Sequence, residues 1–193
     1  MHFLEEQLAY PSEITDYLFL AGVASLDNLE LLKELGVTKV ISVMPNPPIL
    51  DSSMKQLIIP IEDSTSVDIS HYFPEVFNFI SSAKLSGTKI LVHCQQGISR
   101  SASFVIAWLM QEAFLSKMDV NFASILGQVK KIRSVVAPNK GFENQLKALE
   151  QSLKRRLIET RVLSLMDLPR DMHDSYLSLL GPQDKVILSR VCR

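Results

Sequence analysis

Apolar residues follow two rhythms along the chain, short continuous runs and longer stretches that repeat every three or four positions. "YLFLAG" (17–22) is the first run and reads as a strand. In "SLDNLELLKELG" Leu26, Leu29, Leu32 and Leu35 share one helical face, with Ser25 as candidate N-cap and Gly36 as candidate C-cap. β-branched residues crowd "TKVISVM" (38–44), a strand that "PNPP" ends, and "KQLIIPI" (55–61) is another. "SHYFPEVFNFISSA" (70–83) returns to helical spacing through Phe73, Phe77 and Ile80, and "TKILVH" (88–93) is a short strand after a turn at Gly87. From Arg100 to about Ala113 the chain is apolar all round, the pattern of a buried helix. Two amphipathic helices follow, one through Phe122, Leu126, Val129 and Ile132, the next through Phe142, Leu146, Leu149 and Leu153. Strands alternating with helices predict an α/β domain with a central, mostly parallel sheet flanked by helices. Past about residue 160 two proline breaks separate two short amphipathic pieces, so the expected division is a domain over 1–158 and a C-terminal extension of unknown role over 159–193.

Composition narrows this picture. With 193 residues, 47% of them apolar, and a formal charge of −1, the chain can bury a sizeable core and is not of the disordered kind. Its balanced charge leaves no footprint for nucleic acid. No apolar run nears the roughly 20 residues that span a bilayer, so no membrane span is expected. The start "MHFLEEQLAYPSEI" has early glutamates and no basic lead into an apolar stretch, against a secretory signal. Cys94 and Cys192 are too few and too far apart for a disulfide framework or a zinc site. A reducing compartment is expected, the cytoplasm with the nucleus also open to it, where a free thiol stays reactive.

The candidate chemistry lies in "LVHCQQGISRSAS" (91–103). The strand delivers His93 and Cys94 at its C-terminal end, where α/β sheets hold their ligands. The loop then runs directly into a helix N-terminus. Backbone N–H groups of Gln95, Gln96, Gly97, Ile98, Ser99 and Arg100 can line an anion cradle there, strengthened by the helix dipole. Gly97 frees the turn, and the Arg100 guanidinium matches two oxygens of a phosphoryl group. The same positive field favours the thiolate of Cys94, the nucleophilic form. Phosphoryl transfer to sulfur is the chemistry these parts imply.

Residues 93–101, "HCQQGISRS", resemble the His-Cys-x-x-Gly-x-x-Arg-Ser/Thr signature of the cysteine-dependent protein phosphatases, in the wording of the dual-specificity branch. Five fixed positions should match by chance in a chain of this length less than about once in ten thousand. "IPIEDSTSVDISHYFPEVFNFI" is similar to the segment that carries the family's general acid, about thirty residues before the cysteine. Asp63, 31 residues before Cys94, takes that place, with Glu62 and Asp68 as competing carboxylates. "APNKGFENQLKALE" is similar to the family's Pro-Asn-x-Gly-Phe-x-x-Gln-Leu stretch, so the resemblance covers about residues 13–155. Two positions depart from it: Gln96 where many members have alanine, and Ser42 where an asparagine commonly braces the loop.

The resemblance implies a dual-specificity phosphatase-like fold of the small atypical type, without a regulatory domain. It implies hydrolysis of phosphotyrosine and phosphoserine or phosphothreonine in phosphorylated proteins through a cysteinyl-phosphate, in signalling, with no cofactor or metal. Cys94 is then the nucleophile and Arg100 the phosphate fork. Asp63 is the acid and later the base, and His93 orients the loop and supports the thiolate. Ser101 donates to the departing thiolate, caps the helix, or does both, and Asn139 and Arg133 brace or flank the site. His2, His71, His173 and Cys192 stand outside this chemistry. Two alternatives remain, a silent phosphoprotein-binding scaffold and a phosphatase of a non-protein phosphate ester. The scaffold typically lacks the cysteine or arginine, and uncharged residues at 95, 96, 98 and 99 disfavour a highly anionic headgroup. Oligomeric state is not legible at this level.

Overall fold

Strand β5 (Lys89–Cys94) is the axis of the fold, since its last two residues open the candidate loop. The computed structural model describes residues 10–167, with Met172 and Ser175 beyond them. His2, His173, Cys192 and the two short amphipathic pieces expected near the end lie outside the described residues.

Five strands form one sheet in the order β1-β2-β5-β3-β4, with β1 at Ser12–Glu13, β2 at Leu18–Gly22, β3 at Val37–Val43 and β4 at Lys55–Ile59. β2, β5, β3 and β4 run parallel, and β1 alone is antiparallel, folded back on β2. The expected mostly parallel sheet is therefore found, with an added edge strand too short to leave a sequence pattern. Register sets the site: His93 pairs with Ala21 on one side and Ser42 on the other, and Cys94 with Gly22.

Helices cover both faces, so the inner strands are buried along their length rather than alternating. On one face Leu18, Leu20, Ile90 and Val92 meet α2 (Phe73–Leu85), α3 (Arg100–Leu115), α4 (Phe122–Ile132) and α5 (Lys140–Met166). On the other, Phe19, Ala21, Val40 and Leu91 meet Leu32 of the short α1 (Leu29–Glu34). Successive β2 residues thus feed opposite cores, as the two-residue strand repeat requires. α3 is buried from Arg100 to Trp108, as its all-round apolar pattern predicts. Each fully buried side chain such as Phe104 contributes roughly 1.5–3 kcal/mol.

One capping expectation is corrected. Ser25 lies inside a 3-10 turn (Val23–Asp27), where its hydroxyl donates to Gly22 O at 2.8 Å. Asn28 caps α1 instead, accepting from Leu31 N at 3.0 Å, because the extra turn shifts the helix start by three residues. Gly36 ends that helix at φ +82°, as expected of a C-cap glycine. α5 runs across the expected 158/159 boundary to Met166 without a break. No helix of the described residues is long and apolar enough to cross a membrane.

Candidate active site

Five carbonyls decide the shape of the loop after β5. Gln95 O accepts from Val23 N at 3.2 Å, and Ile98 O from Ala137 N at 2.8 Å. Gln96 O and Gly97 O accept from Arg133 Nη2 and Nε, both at 2.9 Å, and Ser99 O from Ser103 N and Oγ. Every carbonyl from 95 to 99 is thus drawn outward, so the N–H side of the loop faces Cys94. Gly97 makes the turn at φ +68°, where a Cβ would stand 2.4 Å from Ala21 O. Arg133 is fully buried and also reaches Ser12 Oγ at 3.2 Å, which ties the loop to β1. Burial lowers its pKa to about 10, against the attraction of Cys94, and it stays a cation at neutral pH.

Cys94 is 2% exposed, and its Sγ accepts from Gly97 N and Ser101 Oγ, each at 3.2 Å. Burial pushes the thiol pKa up, but donation from the Ser101 hydroxyl and from the backbone N–H groups of Ser101, Gly97 and Gln96 outweighs it. The net shift is downward. Ser101 therefore spends its hydroxyl on sulfur, not on a helix cap. Arg100 is 9% exposed and donates through Nη1 to Ile61 O at 3.3 Å. Its Nε is a buried donor with no hydrogen-bond partner among the described residues. Leaving such a donor unsatisfied costs about 1–3 kcal/mol, more when it is charged, and a phosphoryl oxygen is an acceptor suited to it.

Asp63 closes the site from the loop after β4. Its Oδ1 accepts from Ser99 Oγ and from Asn139 Nδ2, both at 2.7 Å, while Oδ2 lies 4.0 Å from Arg100 Nε. Two donors hold Oδ1, so Oδ2 is the oxygen turned toward Arg100 and the loop of Cys94. Asn139 also accepts from Phe142 N at 3.0 Å, which fixes it at the start of α5. Asp68 is placed differently: it caps its own turn, accepting from Ser70 N at 2.8 Å and Ser70 Oγ at 2.6 Å, with its pKa lowered by the Ser70 hydroxyl. Glu62 is exposed, and His71 packs on Tyr72 at 3.9 Å between ring centroids.

His93 is fully buried between Ser42 Oγ, 2.7 Å from Nε2, and Cys94 O, 3.3 Å from Nδ1. A carbonyl can only accept, so Nδ1 carries the hydrogen and Nε2 accepts from Ser42. Burial drives the histidine pKa down to about 4, so the ring is neutral at pH 7, and the Cys94 carbonyl opposes this only weakly. Ser42 accepts in turn from Gln56 Nε2 at 2.9 Å. The bracing expected of an asparagine at position 42 is thus kept by a serine backed by a glutamine.

Sequence reasoning missed three of these roles. Gln56 reads as an unremarkable polar residue on a strand. Ser99 is legible in the sequence only through its backbone N–H, yet its hydroxyl donates to Asp63 and accepts from Asn139 N. Gln145 sits inside the matched Pro-Asn-x-Gly-Phe-x-x-Gln-Leu stretch, and it fastens the acid loop by accepting from Ile69 N at 2.7 Å and donating to Val67 O at 2.8 Å. Gly141 of that stretch lies against the same loop, where a Cβ would fall 2.1 Å from Thr65 O.

A buried thiol with lowered pKa, an inward-facing amide loop, a buried guanidinium and a carboxylate come together where β5 ends and α3 begins. The arrangement is that of a cysteine-based phosphoryl-transfer site. A profile of the family "Dual specificity phosphatase, catalytic domain" matches residues 18–152, and the chain belongs to this family. It is 38% identical to dual specificity protein phosphatase 1-A of Xenopus laevis over 144 residues, 74% of this chain and 38% of that protein. It is 37% identical to human dual specificity protein phosphatase 6 over 150 residues, 76% of this chain and 38% of that protein. The match thus spans well under half the length of these curated relatives. A crystal structure of human DUSP28 superposes with a TM-score of 0.69 at 27% identity, covering 75% of this chain and 95% of that one.

Proposed function

We propose that this chain is a protein phosphatase that hydrolyses phosphotyrosine and phosphoserine or phosphothreonine in phosphorylated proteins through a cysteinyl-phosphate. The observation that carries the reading is Cys94 Sγ, held by two donors, together with the buried Arg100 Nε, which has no hydrogen-bond partner among the described residues. In the first step the Cys94 thiolate attacks phosphorus and the ester P–O bond breaks. Arg100 and the loop amides hold the non-bridging oxygens, and Asp63 Oδ2 gives its proton to the departing oxygen. In the second step Asp63, now ionised, takes a proton from water as that water attacks phosphorus. The P–S bond breaks, and the Ser101 hydroxyl receives the departing thiolate. His93 does not transfer protons in this scheme. As a neutral ring it fixes the Cys94 carbonyl and hence the loop entry.

The names of the curated relatives support protein substrates and dual specificity, and a reducing cytoplasmic setting suits the free thiol in a signalling role. Residues 159–193 are read as an extension of the catalytic domain, although α5 passes through their start. Cys94→Ser tests the reading. Turnover of phosphopeptides should vanish while phosphopeptide binding persists; hydrolysis by the serine variant would refute the covalent route.

A further inference from the structure

Charge is divided sharply along this near-neutral chain. Residues 130–161 hold nine Lys and Arg against three Asp and Glu, whereas the 129 residues before them hold seven against fourteen. The fold gathers part of that excess on one surface. α4 and α5 pack together, and Lys147 of α5 lies over the Phe122 ring at the start of α4, 5.7 Å from its centroid. Lys140, at the start of α5, pairs with Glu143 at 3.0 Å and is 71% exposed. Glu143 is held below the usual carboxylate range, first by its bond to Lys140 and also by the charges of Lys147 and Lys130, so three lysines surround one acid. Lys130 and Lys147 are exposed, and an open groove of about 440 Å³ runs beside Phe122, Lys147, Gln151 and Glu150, the last paired with Lys154 at 2.7 Å.

This surface begins at the site. Lys140 directly follows Asn139, whose amide holds Asp63, and Gly141 abuts the Thr65 carbonyl of the acid loop. Lys147 lies seven residues on, a helical rise of about 10 Å, which an extended peptide covers in about three residues. We propose that the α4–α5 face around Lys130, Lys140 and Lys147 is a docking surface for an acidic stretch of the protein substrate, flanking the phosphoresidue bound at Cys94. The proposal rests on the phosphatase reading above and names a substrate class for it, phosphoproteins with acidic residues about three to six positions from the phosphate. An anionic membrane could meet the same charges, but the adjoining catalytic site favours a peptide, which can occupy site and lysines together.

The test uses matched phosphotyrosine peptides bearing Glu, Gln or Lys at those flanking positions. An exposed ion pair is worth a factor of roughly 1.4 to 5, so three give about tenfold in kcat/KM for Glu over Gln at low salt. The advantage should shrink toward parity at about 0.5 M salt. Replacing Lys130, Lys140 and Lys147 together by Gln should erase the ranking, and replacing them by Glu should invert it, while hydrolysis of a small aryl phosphate stays near wild type. Equal rates for Glu and Gln peptides, or a ranking that survives the lysine variants, would overturn the proposal. So would loss of binding to phosphatidylserine vesicles in the variants with the peptide ranking unmoved. Peptide binding to Cys94→Ser distinguishes the two readings. A Glu preference in binding without turnover in the wild type would refute the phosphatase and keep the docking surface, and turnover without the preference would do the reverse.

Discussion

Removing the Ser101 hydroxyl probes both halves of the catalytic cycle at once. Ser101→Ala deletes the donor 3.2 Å from Cys94 Sγ and leaves the Gly97 N–H as the remaining short contact. The sulfur stays buried, so the effect of burial, which raises the thiol pKa, loses its largest counterweight. A hydrogen bond to a charged group contributes about 1.5–3 kcal/mol. Without it the thiol pKa should rise, because burial is then opposed only by the backbone N–H groups. The pH dependence of iodoacetate inactivation reads this directly, through the midpoint at which the thiolate forms. The same substitution should slow the second step more than the first, because the hydroxyl stabilises the thiolate as it leaves phosphorus. An aryl phosphate with a good leaving group should then show a burst of phenol close to one per enzyme, followed by slow turnover. Ser101→Thr keeps the hydroxyl and should restore both properties. An unshifted inactivation midpoint together with no burst would refute the role given to this contact.

Other expectations follow from neighbouring contacts. Asp63→Asn should cost about 10²–10⁴-fold on phosphoserine peptides and much less on an activated aryl phosphate, while Asp68→Asn leaves both nearly unchanged; the opposite pattern would move the acid to Asp68. Gly141→Ala forces a Cβ to within 2.1 Å of Thr65 O and should displace the acid loop. Its loss should therefore follow the leaving group as that of Asp63→Asn does, with thiol reactivity kept. His93 binds its proton less readily folded than unfolded, so stability should be full above about pH 6.5 and fall as pH drops toward 4, by about 3 kcal/mol in all. Thermal melting of the wild type and of His93→Asn checks this, since the variant should lose part of that acid sensitivity. Arg100→Lys should be nearly as inactive as Arg100→Ala, because an ammonium cannot offer two parallel donors; near-normal kcat/KM for the lysine variant would refute the fork.

The parts legible in the sequence are those carried by local pattern. β2, β3 and β5 stand within a residue of their apolar runs, and the loop from Cys94 to Arg100 sits where a strand meets a helix. What escaped depends on residues far apart in the chain. Asp63 reaches Ser99 across 36 positions and Asn139 across 76, contacts that no spacing rule encodes. Gln56 becomes meaningful only because parallel pairing of β3 with β4 brings it near Ser42, and Ser42 near His93. The resemblance marks Arg133 only as bracing or flanking the site, and which two loop carbonyls its guanidinium holds is visible only in the fold. β1 is two residues long, too short for any periodicity, yet its Ser12 anchors that same arginine. Ser25 is the cap the sequence suggests, and an added 3-10 turn moves the cap to Asn28.

The covalent intermediate is the most direct measurement of the central claim. Acid quenching during turnover of a phosphotyrosine peptide, followed by mass spectrometry of the peptide that contains Cys94, should find a phosphoryl group on that sulfur. The adduct should be absent in Cys94→Ser and should accumulate in Ser101→Ala, where its breakdown is slowed. Steady turnover by both the wild type and Ser101→Ala with no phosphoryl group on Cys94, or with one on another residue, would contradict the mechanism.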